Sequence, residues 1–557
     1  MQQIEALFTR AVEHHLAGRL EAASRDYQAV LAALPDHSPT LHLLGALAFQ
    51  IGQVEPAINL IGAAIEIDDT VPAYHNDLGE ALRVAGRLDE AAEHYRAALA
   101  LEPNNVAALN NLGITEQTQG RRDAAVALYR QAIALAGDFA PAQLNLGVAL
   151  LEAGDVEGAE AALETARKLD STGREITLNL ANLRQTQGQL DEAVALYRSL
   201  LAADPNHVQA LVNLGQALQR QGRPDQALEF FEAALALAPD LPAAQWSAGL
   251  CRLLLGDLDR GWPGFAWRWQ AGAVPPHGLD GPEWEGGALD GRRLLIHAEQ
   301  GLGDTIQFAR YLEPAQARAQ GEVTLLCQPG VRRLLDPLIR TVTPDETLPS
   351  WDCRIPLLDL PRLFGTILET IDGTVPYLAV APERVAAWQA QLADLPAPRI
   401  GLVWRGRPEH KNDRNRSMPA AALAPLATLP YGWVSLQQGA TAEELAALGH
   451  PRQLGDGFAD LQEVAEAIMA LDLVITVDTA LAHLAGALGT PVWLLLPLAP
   501  DWRWLTGRDD SPWYPTARLF RQEKTGDWAG VVERLVAAIQ TNRLSSGTPH
   551  LTPTTAL

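Results

Sequence analysis

The 557-residue sequence is poor in cysteine and in basic side chains. Its three cysteines, Cys251, Cys327 and Cys353, lie far apart without the spacing of a metal site, which predicts buried thiols in a reducing compartment. Lysine and arginine number 43 against 67 aspartates and glutamates, a formal net charge of -24. Such a chain is unsuited to nucleic acid or an anionic membrane surface as its main partner, because both require a positive face. A local basic pocket is not excluded.

Long apolar runs without charge are also lacking. The most apolar stretch, residues 471–497, contains two aspartates and a histidine, so it predicts strand, turn, helix and strand instead of a membrane span. Residues 1–20 have the pattern of an amphipathic helix with acidic residues, which does not fit a signal peptide. We therefore expect a cytoplasmic protein that is not integral to a membrane.

The most regular feature of the sequence is a repeat of 34 residues. Two series of small residues recur at that spacing, with alanines between them and an aromatic or large apolar residue after each alanine. We expect the first series to let two helices approach closely and the second to end the first helix of each repeat. The first series is Gly18, Gly52, Gly86, Gly120, Gly154, Gly188, Gly222 and Gly256, and the second is Gly45, Gly79, Gly113, Gly147, Ala181, Gly215 and Gly249.

Over roughly residues 4–270 this pattern resembles the tetratricopeptide repeat, a family of stacked pairs of antiparallel helices. The resemblance implies an all-α superhelical solenoid of about eight repeats, whose usual function is to hold another protein.

Asparagines recur in the same register, two positions before the second series: Asn111, Asn145, Asn179 and Asn213. In the tetratricopeptide family that helix lines the concave face, so the resemblance implies a ladder of amides along a groove. An amide side chain can donate to and accept from an extended peptide backbone, which suits the capture of a protein acceptor. The alternative is that asparagine is only a consensus residue there. The arrangement is similar to the solenoid of the O-linked N-acetylglucosamine transferases.

Beyond the repeats, short apolar runs alternate with helical stretches. This alternation is typical of a parallel sheet with helices on both faces, and a helical connector at 382–395 separates two blocks. We therefore predict an α/β region of two Rossmann-like lobes, with ligands bound at the carboxyl ends of the strands. The predicted strands are 292–299, 322–328, 398–404, 431–437, 471–477 and 491–497.

The predicted division of the chain has five parts. Tryptophans near the junction, Trp262 and Trp284 among them, indicate a seam between the solenoid and the next domain, with a sugar-binding platform as the alternative. The parts are the solenoid at 1–270, a Trp/Pro/Gly-rich junction at 271–291, the first lobe at 292–395, the second lobe at 396–540 and a disordered Ser/Thr/Pro-rich tail at 541–557.

Two segments of the lobes resemble the heptosyltransferase-type glycosyltransferases. They are LIHAEQGLGDTIQF at 295–308 and VITVDTALAHLAGALGTPVWLL at 474–495. With the solenoid, the layout resembles bacterial repeat-bearing glycosyltransferases, including those that modify flagellin. The resemblance implies the two-lobed GT-B fold, a nucleotide-sugar donor, inverting transfer, and no essential metal or other cofactor.

Asp304 matches the family's aspartate that is proposed to deprotonate the acceptor hydroxyl. The helix dipole stabilises a carboxylate at a helix start, which would make Asp304 a weak base that mainly orients the acceptor. A helix cap is the alternative interpretation, and Glu299 in the same loop is an alternative base.

Asp478, Thr479 and His483 match the second motif, where a helix start would receive the donor's phosphate on free backbone N–H groups. His483 has the alternative of pinning that helix in the core. Gln437 ends a strand of the second lobe, where a base or ribose would lie.

Fixed cations are needed as well, because a helix terminus contributes at most ~2 kcal/mol per charge. The basic loop at 404–419 supplies Arg405, Lys411 and Arg416. The family places a phosphate-binding lysine near this loop, and both Lys411 and Arg416 qualify. No metal site is predicted.

These features lead to one hypothesis and two alternatives. The leading hypothesis is a protein glycosyltransferase that modifies serine or threonine hydroxyls of a protein held by the solenoid, with flagellin as a candidate acceptor. One alternative is a heptosyltransferase acting on lipid or polysaccharide. The other is a non-catalytic scaffold whose second half has become a binding domain.

Overall fold

A computed structural model describes residues 2–410 and 412–541 of the chain. The chain divides into two compact units, Met1–Pro205 and Asn206–Leu557. Within the described residues, no helix is both long enough and apolar enough to cross a lipid bilayer. The three cysteines are buried free thiols, as predicted. The predicted tail lies outside the described residues, apart from residue 541.

The first unit is all-helical, and consecutive helices pack in pairs as the repeat pattern predicts. Buried alanines and one large side chain per repeat, such as Tyr95 and Tyr129, fill the space between the helices. The helices are α1 Gln2–Leu16, α2 Leu20–Ala33, α3 Ser38–Gln50, α4 Val54–Ile67, α5 Pro72–Val84, α6 Leu88–Leu101, α7 Val106–Thr118, α8 Arg122–Leu135, α9 Ala140–Glu152, α10 Val156–Leu169, α11 Arg174–Thr186 and α12 Leu190–Ala203.

The two glycine series have roles opposite to those expected from the sequence. Gly86, of the first series, follows the end of α5 with a φ of 77° and makes the turn into α6. Gly113, of the second series, lies inside α7, where an added Cβ would stand 2.5 Å from Cε1 of Tyr129. The first series therefore ends the first helix of each repeat, and the second permits the close approach of the two helices.

The second unit begins with two further repeats. Trp262, in the last of them, donates from Nε1 to the carbonyl oxygen of Thr366 at 2.7 Å, and its ring centroid lies 5.4 Å from that of Trp502. Within this unit the last repeat therefore packs against both lobes, which supports the seam interpretation for Trp262. The helices of these repeats are α13 Val208–Arg220, α14 Pro224–Leu237, α15 Pro242–Leu254 and α16 Leu258–Phe265.

The rest of the second unit is an α/β region with two parallel sheets, as predicted. The first lobe contains β1 Arg293–His297, α17 Leu302–Phe308, α18 Leu312–Ala319, β2 Glu322–Leu326, α19 Arg332–Leu335, β3 Arg340–Val342, β4 Cys353–Pro356 and α20 Leu360–Leu363. The second contains α21 Pro382–Gln391, β5 Arg399–Val403, α22 Asp413–Arg416, β6 Gly432–Ser435, α23 Ala442–Ala447, β7 Arg452–Gln453, α24 Leu461–Ile468, β8 Leu473–Val477, α25 Ala480–Ala487, β9 Val492–Leu496, β10 Ala517–Arg521 and α26 Trp528–Thr541.

The order of the strands determines where a ligand can bind. The first sheet has the order β3-β2-β1-β4 and the second has the order β10-β9-β8-β5-β6-β7. The order reverses between β1 and β4 in the first sheet and between β8 and β5 in the second, and ligands of open parallel sheets bind beyond the carboxyl ends at such points. The loops that carry the predicted motifs follow β1, β5 and β8.

Candidate active site

The two sequence motifs of the lobes adjoin in the structure. α17 begins after Gly301, beyond β1, and α25 begins after Thr479, beyond β8. At Gly303 an added Cβ would stand 2.8 Å from Cδ2 of His483 and 3.3 Å from Cα of Ala480. Because the second neighbour is backbone, a larger residue at this position would push the two helices apart.

Both carboxylate oxygens of Asp304 are engaged. Oδ2 accepts a hydrogen bond from the backbone N–H of Gly301 at 2.7 Å, which caps the start of α17. Oδ1 accepts from Nη2 of Arg503, and this ion pair joins the first lobe to the second. Asp304 therefore forms the helix cap that was the alternative to its catalytic role. It also forms an ion pair that the sequence did not indicate. The catalytic role of Asp304 stays a prediction.

Arg503 is a residue of this site that sequence reasoning missed. It lies in the short turn Trp502–Trp504, its side chain is 7% exposed, and its guanidinium lies 4.4 Å from the Trp502 ring centroid. Nη1 donates to Oδ1 of Asp501 at 2.7 Å, whereas Nε is buried and finds no hydrogen-bond partner in the described part of the chain. The available signal was an arginine in the loop after a strand of the second lobe.

Asp478 and Thr479 connect β8 to α25, where the sequence predicted them. Burial and the charge of Asp501 raise the pKa of Asp478 to about 6, although nearby donors and arginines act in the opposite direction. Thr479 is the N-cap residue of α25, but its side chain does not cap the helix, and its Oγ1 lies 3.1 Å from Oγ1 of Thr476. The first-turn N–H groups of α25 therefore receive no bond from the N-cap side chain.

Arg416 reaches the same region from the basic loop after β5. Its side chain is 17% exposed, and Nε lies 3.5 Å from Oδ1 of Asp413. Its positive charge opposes the rise in the pKa of Asp478 and contributes, after burial and the charges of two other arginines, to the lowered pKa of His483. Lys411, the other candidate for the phosphate-binding cation, lies outside the described residues.

His410, in the same loop, is a second residue that sequence reasoning left out. Although His410 is exposed, desolvation by neighbouring groups and the charge of Arg416 hold its pKa below the usual range. The negative charges of Asp413, Asp304 and Asp501 act in the opposite direction. The loop therefore adds a titratable imidazole to a region that contains carboxylates of both lobes.

Arg405 and Gln437 lie close together, and both form hydrogen bonds within the protein. Oε1 of Gln437 accepts from the backbone N–H groups of Trp404 at 3.1 Å and Arg405 at 3.0 Å, which fixes the start of the basic loop. The Arg405 guanidinium pairs with Glu444, Nε to Oε1 at 3.1 Å, and despite burial it holds the pKa of Glu444 at about 2. Arg405 is thus committed to a carboxylate, and the donor-binding role of both residues stays a prediction.

Glu299 is buried and paired. The fully buried Arg268 donates from Nε to Oε1 of Glu299 at 2.7 Å and from Nη1 to Oδ1 of Asp359 at 2.9 Å. Two carboxylates thus share one guanidinium, and burial raises the pKa of Glu299 to about 8. Such a side chain is poorly placed to meet an acceptor hydroxyl, so the geometry favours Asp304 as the base.

His483 is buried behind the start of α25. Its Nδ1 lies 3.0 Å from the hydroxyl of Tyr514, and its ring stacks on Trp504 with centroids 5.1 Å apart. Burial and the charges of nearby arginines hold its pKa well below the usual range, so the ring is neutral. These contacts favour the interpretation that His483 pins the helix, and its donor-binding role stays a prediction.

Two ladder asparagines of the first unit, Asn111 and Asn145, are half-buried and form inter-repeat bonds. Nδ2 of Asn111 donates to Oδ1 of Asn76 at 3.3 Å. Nδ2 of Asn145 donates to Oδ1 of Asn110 at 2.9 Å. Part of the hydrogen-bonding capacity expected for a bound peptide is therefore used between repeats.

The other two ladder positions have different contacts. Asn179 donates to the carbonyl oxygen of Glu175 at 2.9 Å, within its own helix. Asn213, in the second unit, is buried, and its Oδ1 accepts from Nε2 of Gln209 at 2.7 Å. The four asparagines share a register but not one arrangement, and their role in acceptor binding stays a prediction.

Family models match both parts of the chain. Models of the tetratricopeptide repeat match residues 69–138, 116–176, 178–242 and 217–261. The model of glycosyltransferase family 9 (heptosyltransferase) matches residues 437–495. That segment runs from Gln437 to β9 and includes β8 and α25.

Similar proteins include one curated relative and several solved structures. Protein FlbA of Caulobacter vibrioides is 32% identical over 337 residues, which cover 54% of this chain and 55% of FlbA. The chain thus spans about half the length of this relative. MamA is 25% identical with a TM-score of 0.28, covering 29% of this chain and 94% of its own. Pseudomonas aeruginosa pilF is 22% identical with a TM-score of 0.34, covering 37% and 95%.

The repeat models match the segment in which the small-residue series recur and the helices pack in pairs. The glycosyltransferase model matches the segment whose helix α25 meets Gly303 of the first lobe. The chain therefore combines tetratricopeptide repeats with a glycosyltransferase family 9 domain.

Proposed function

We propose that the chain transfers a sugar from a nucleotide-sugar donor to a serine or threonine hydroxyl of a protein held by its repeats. The observation that carries the proposal is the ion pair of Asp304 with Arg503, beside the contact of Gly303 with the start of α25. A carboxylate, a guanidinium group and a helix N-terminus are groups that such a transfer uses, and Arg416 is a second cation, whose charge acts on Asp478 at the start of α25.

In the proposed reaction, the acceptor oxygen attacks the anomeric carbon of the donor while its proton passes to Asp304. The bond between that carbon and the diphosphate breaks, and its electron pair leaves with the nucleoside diphosphate. Arg416 and the first-turn N–H groups of α25 take up the developing negative charge. Because the acceptor attacks opposite the leaving group, the transfer inverts the anomeric carbon. With protein cations as the counter-charge, we propose that it requires no metal and no other cofactor.

The repeats are proposed to hold the acceptor protein. Tetratricopeptide arrays stack into extended concave surfaces, and the half-buried amides of Asn111, Asn145 and Asn179 would contact the captured backbone. Capture raises the local concentration of the acceptor at the site, so the acceptor sequence itself needs few features. Flagellin is the first acceptor to test, on the family resemblance. The buried free thiols support a reducing compartment, and we propose the cytoplasm.

The test is co-expression with flagellin, followed by intact-mass and peptide mass spectrometry. We expect the wild type to add a sugar mass to serine or threonine residues and Asp304→Asn to reduce the modified fraction by about 100-fold or more. Asp352→Asn serves as the matched control, because it breaks an arginine pair at the amino ends of β1 and β4, away from the loops beyond their carboxyl ends. Equal modification with wild type and Asp304→Asn would contradict the proposed base.

A further inference from the structure

Arg503 has an incompletely used hydrogen-bonding edge. A guanidinium binds an anion bidentately through Nε–H and one Nη–H, which lie side by side. Asp304 contacts Nη2 through a single oxygen, while the neighbouring Nε is buried and finds no hydrogen-bond partner among the described residues. The edge is therefore half-occupied by a carboxylate whose other oxygen is bonded to Gly301.

The negative charges around this edge make the binding of a further anion unfavourable. Asp304 and Asp501 both contact Arg503, and the negative charge of Asp478 also acts on it. A donor diphosphate brings about two more negative charges, and like charges at short range are strongly unfavourable. One carboxylate must therefore give up its contact with Arg503 when a diphosphate binds.

Asp304 is the carboxylate that can leave. Asp501 belongs to the same turn as Arg503 and accepts from both its backbone N–H at 3.1 Å and its Nη1 at 2.7 Å. Asp304 belongs to the other lobe and retains a bond to Gly301 when the arginine is withdrawn. Only the Asp304 contact lies on the edge that has the unsatisfied Nε.

We propose that Arg503 binds the donor's diphosphate by exchanging Asp304 for it, so that donor binding releases the base. The inference rests on the proposed function of the site. Leaving Arg503 frees Oδ1 of Asp304, so that this oxygen can accept the acceptor's proton only when a donor is bound. The exchange thereby couples release of the base to donor binding and makes Arg503 a diphosphate-binding residue.

The test titrates the full chain with inorganic pyrophosphate, a probe that carries the diphosphate without a base or sugar, by isothermal calorimetry. We expect Asp304→Asn to bind pyrophosphate about fivefold more tightly than the wild type, because one competing negative charge is removed. Arg503→Gln should bind at least about tenfold more weakly, because the bidentate edge is lost. Asp352→Asn removes the partner of the more exposed Arg293 at the amino ends of β1 and β4 and should leave the affinity unchanged.

Each outcome decides between the exchange and its alternatives. Unchanged or weaker binding by a folded Asp304→Asn variant overturns the exchange, while pyrophosphate binding by the wild type leaves the proposed function standing. If the wild type binds neither pyrophosphate nor any of UDP, GDP, ADP and CDP, both proposals fail. Should Asp304→Asn not fold, a crystal structure of the wild type with pyrophosphate decides. An intact Asp304–Arg503 pair beside bound pyrophosphate would overturn the exchange.

Discussion

The polar side chains of the first unit and those of the second unit are organised differently. In the first unit one group of pairs joins neighbouring repeats at a constant sequence separation. In the second unit buried pairs join distant parts of the chain, such as Arg268 with Asp359 and Arg503 with Asp304, which are 91 and 199 residues apart. The pairs of the first unit that are 35 residues apart are His15–Gln50, His42–Asp77, Asn76–Asn111, Asn110–Asn145 and Gln117–Glu152.

The two arrangements differ in what they contribute to stability and to ligand binding. Pairs at a constant separation are repeated with the fold, lie partly in solvent, and each adds little to stability. The second unit instead buries charged groups, and some of their polar atoms find no hydrogen-bond partner among the described residues, including Nε of Arg503 and Oε2 of Glu299. Burial of such atoms opposes folding, so at the candidate site the unsatisfied Nε of Arg503 is better explained by ligand binding than by stability.

The largest expected effect comes from removing the cation of the buried cluster. Arg268→Met leaves Asp359 buried without its counter-charge, and Glu299 as well where it is ionised above about pH 8, which should destabilise the second unit by about 3–5 kcal/mol. The measurement is urea unfolding of the full chain, with hydrogen exchange read from peptides of each unit. Arg10→Met removes the exposed partner of Asp26 in the first unit and should leave that unit's unfolding midpoint unchanged. Equal effects of the two substitutions would remove the distinction between the units.

A smaller effect is expected from pH, through Glu299. Burial raises its pKa to about 8 from an ordinary value of 4.5, so between these pH values the folded state keeps a proton that the unfolded chain has released. The stabilisation is complete below about pH 4.5, falls by up to ~1.4 kcal/mol per pH unit as the pH rises, and is lost above about pH 8. Thermal unfolding of the second unit between pH 5 and 8.5 checks this, because most of that range lies between the ordinary pKa and the pKa in the folded state.

Two variants isolate the contribution of that side chain. Glu299→Gln cannot exchange the proton and should flatten the pH profile. Asp352→Asn should not change it, because Arg293 holds the pKa of Asp352 at about 2, below the range tested. An identical slope in wild type and Glu299→Gln would assign the pH dependence to another group.

Much of the fold could be predicted because the 34-residue repeat and the apolar runs of the strands are visible in the sequence. The repeat and the six strands β1, β2, β5, β6, β8 and β9 were predicted, since each strand is a continuous apolar run. β3 and β7 have three and two residues, too few to show a period, and β10 alternates arginine with apolar residues at a sheet edge. The roles of the two glycine series were exchanged because spacing alone does not reveal which glycine has a positive φ.

The candidate site could be predicted less completely. Motif and topology placed Asp304, Asp478 and Arg416 at strand ends that adjoin. Arg503 was missed because its pairing with Asp304 depends on the packing of two lobes and leaves no local pattern. Arg405 was in a predicted loop, but only the folded structure shows that Glu444 already occupies its guanidinium.

The smallest expected effect concerns the regularly spaced pairs of the first unit. Asn145→Ala removes the donor to Oδ1 of the buried Asn110 and should destabilise the first unit by about 0.5–1.5 kcal/mol. A double-mutant cycle with Asn110→Ala, followed by hydrogen exchange in the first unit, measures the coupling of the two amides. Coupling near zero would mean that the inter-repeat bond adds nothing to stability. A coupling of about 1 kcal/mol would mean that a peptide bound in the groove must compete with a bond the solenoid already makes, so ladder variants should lose stability before they lose capture.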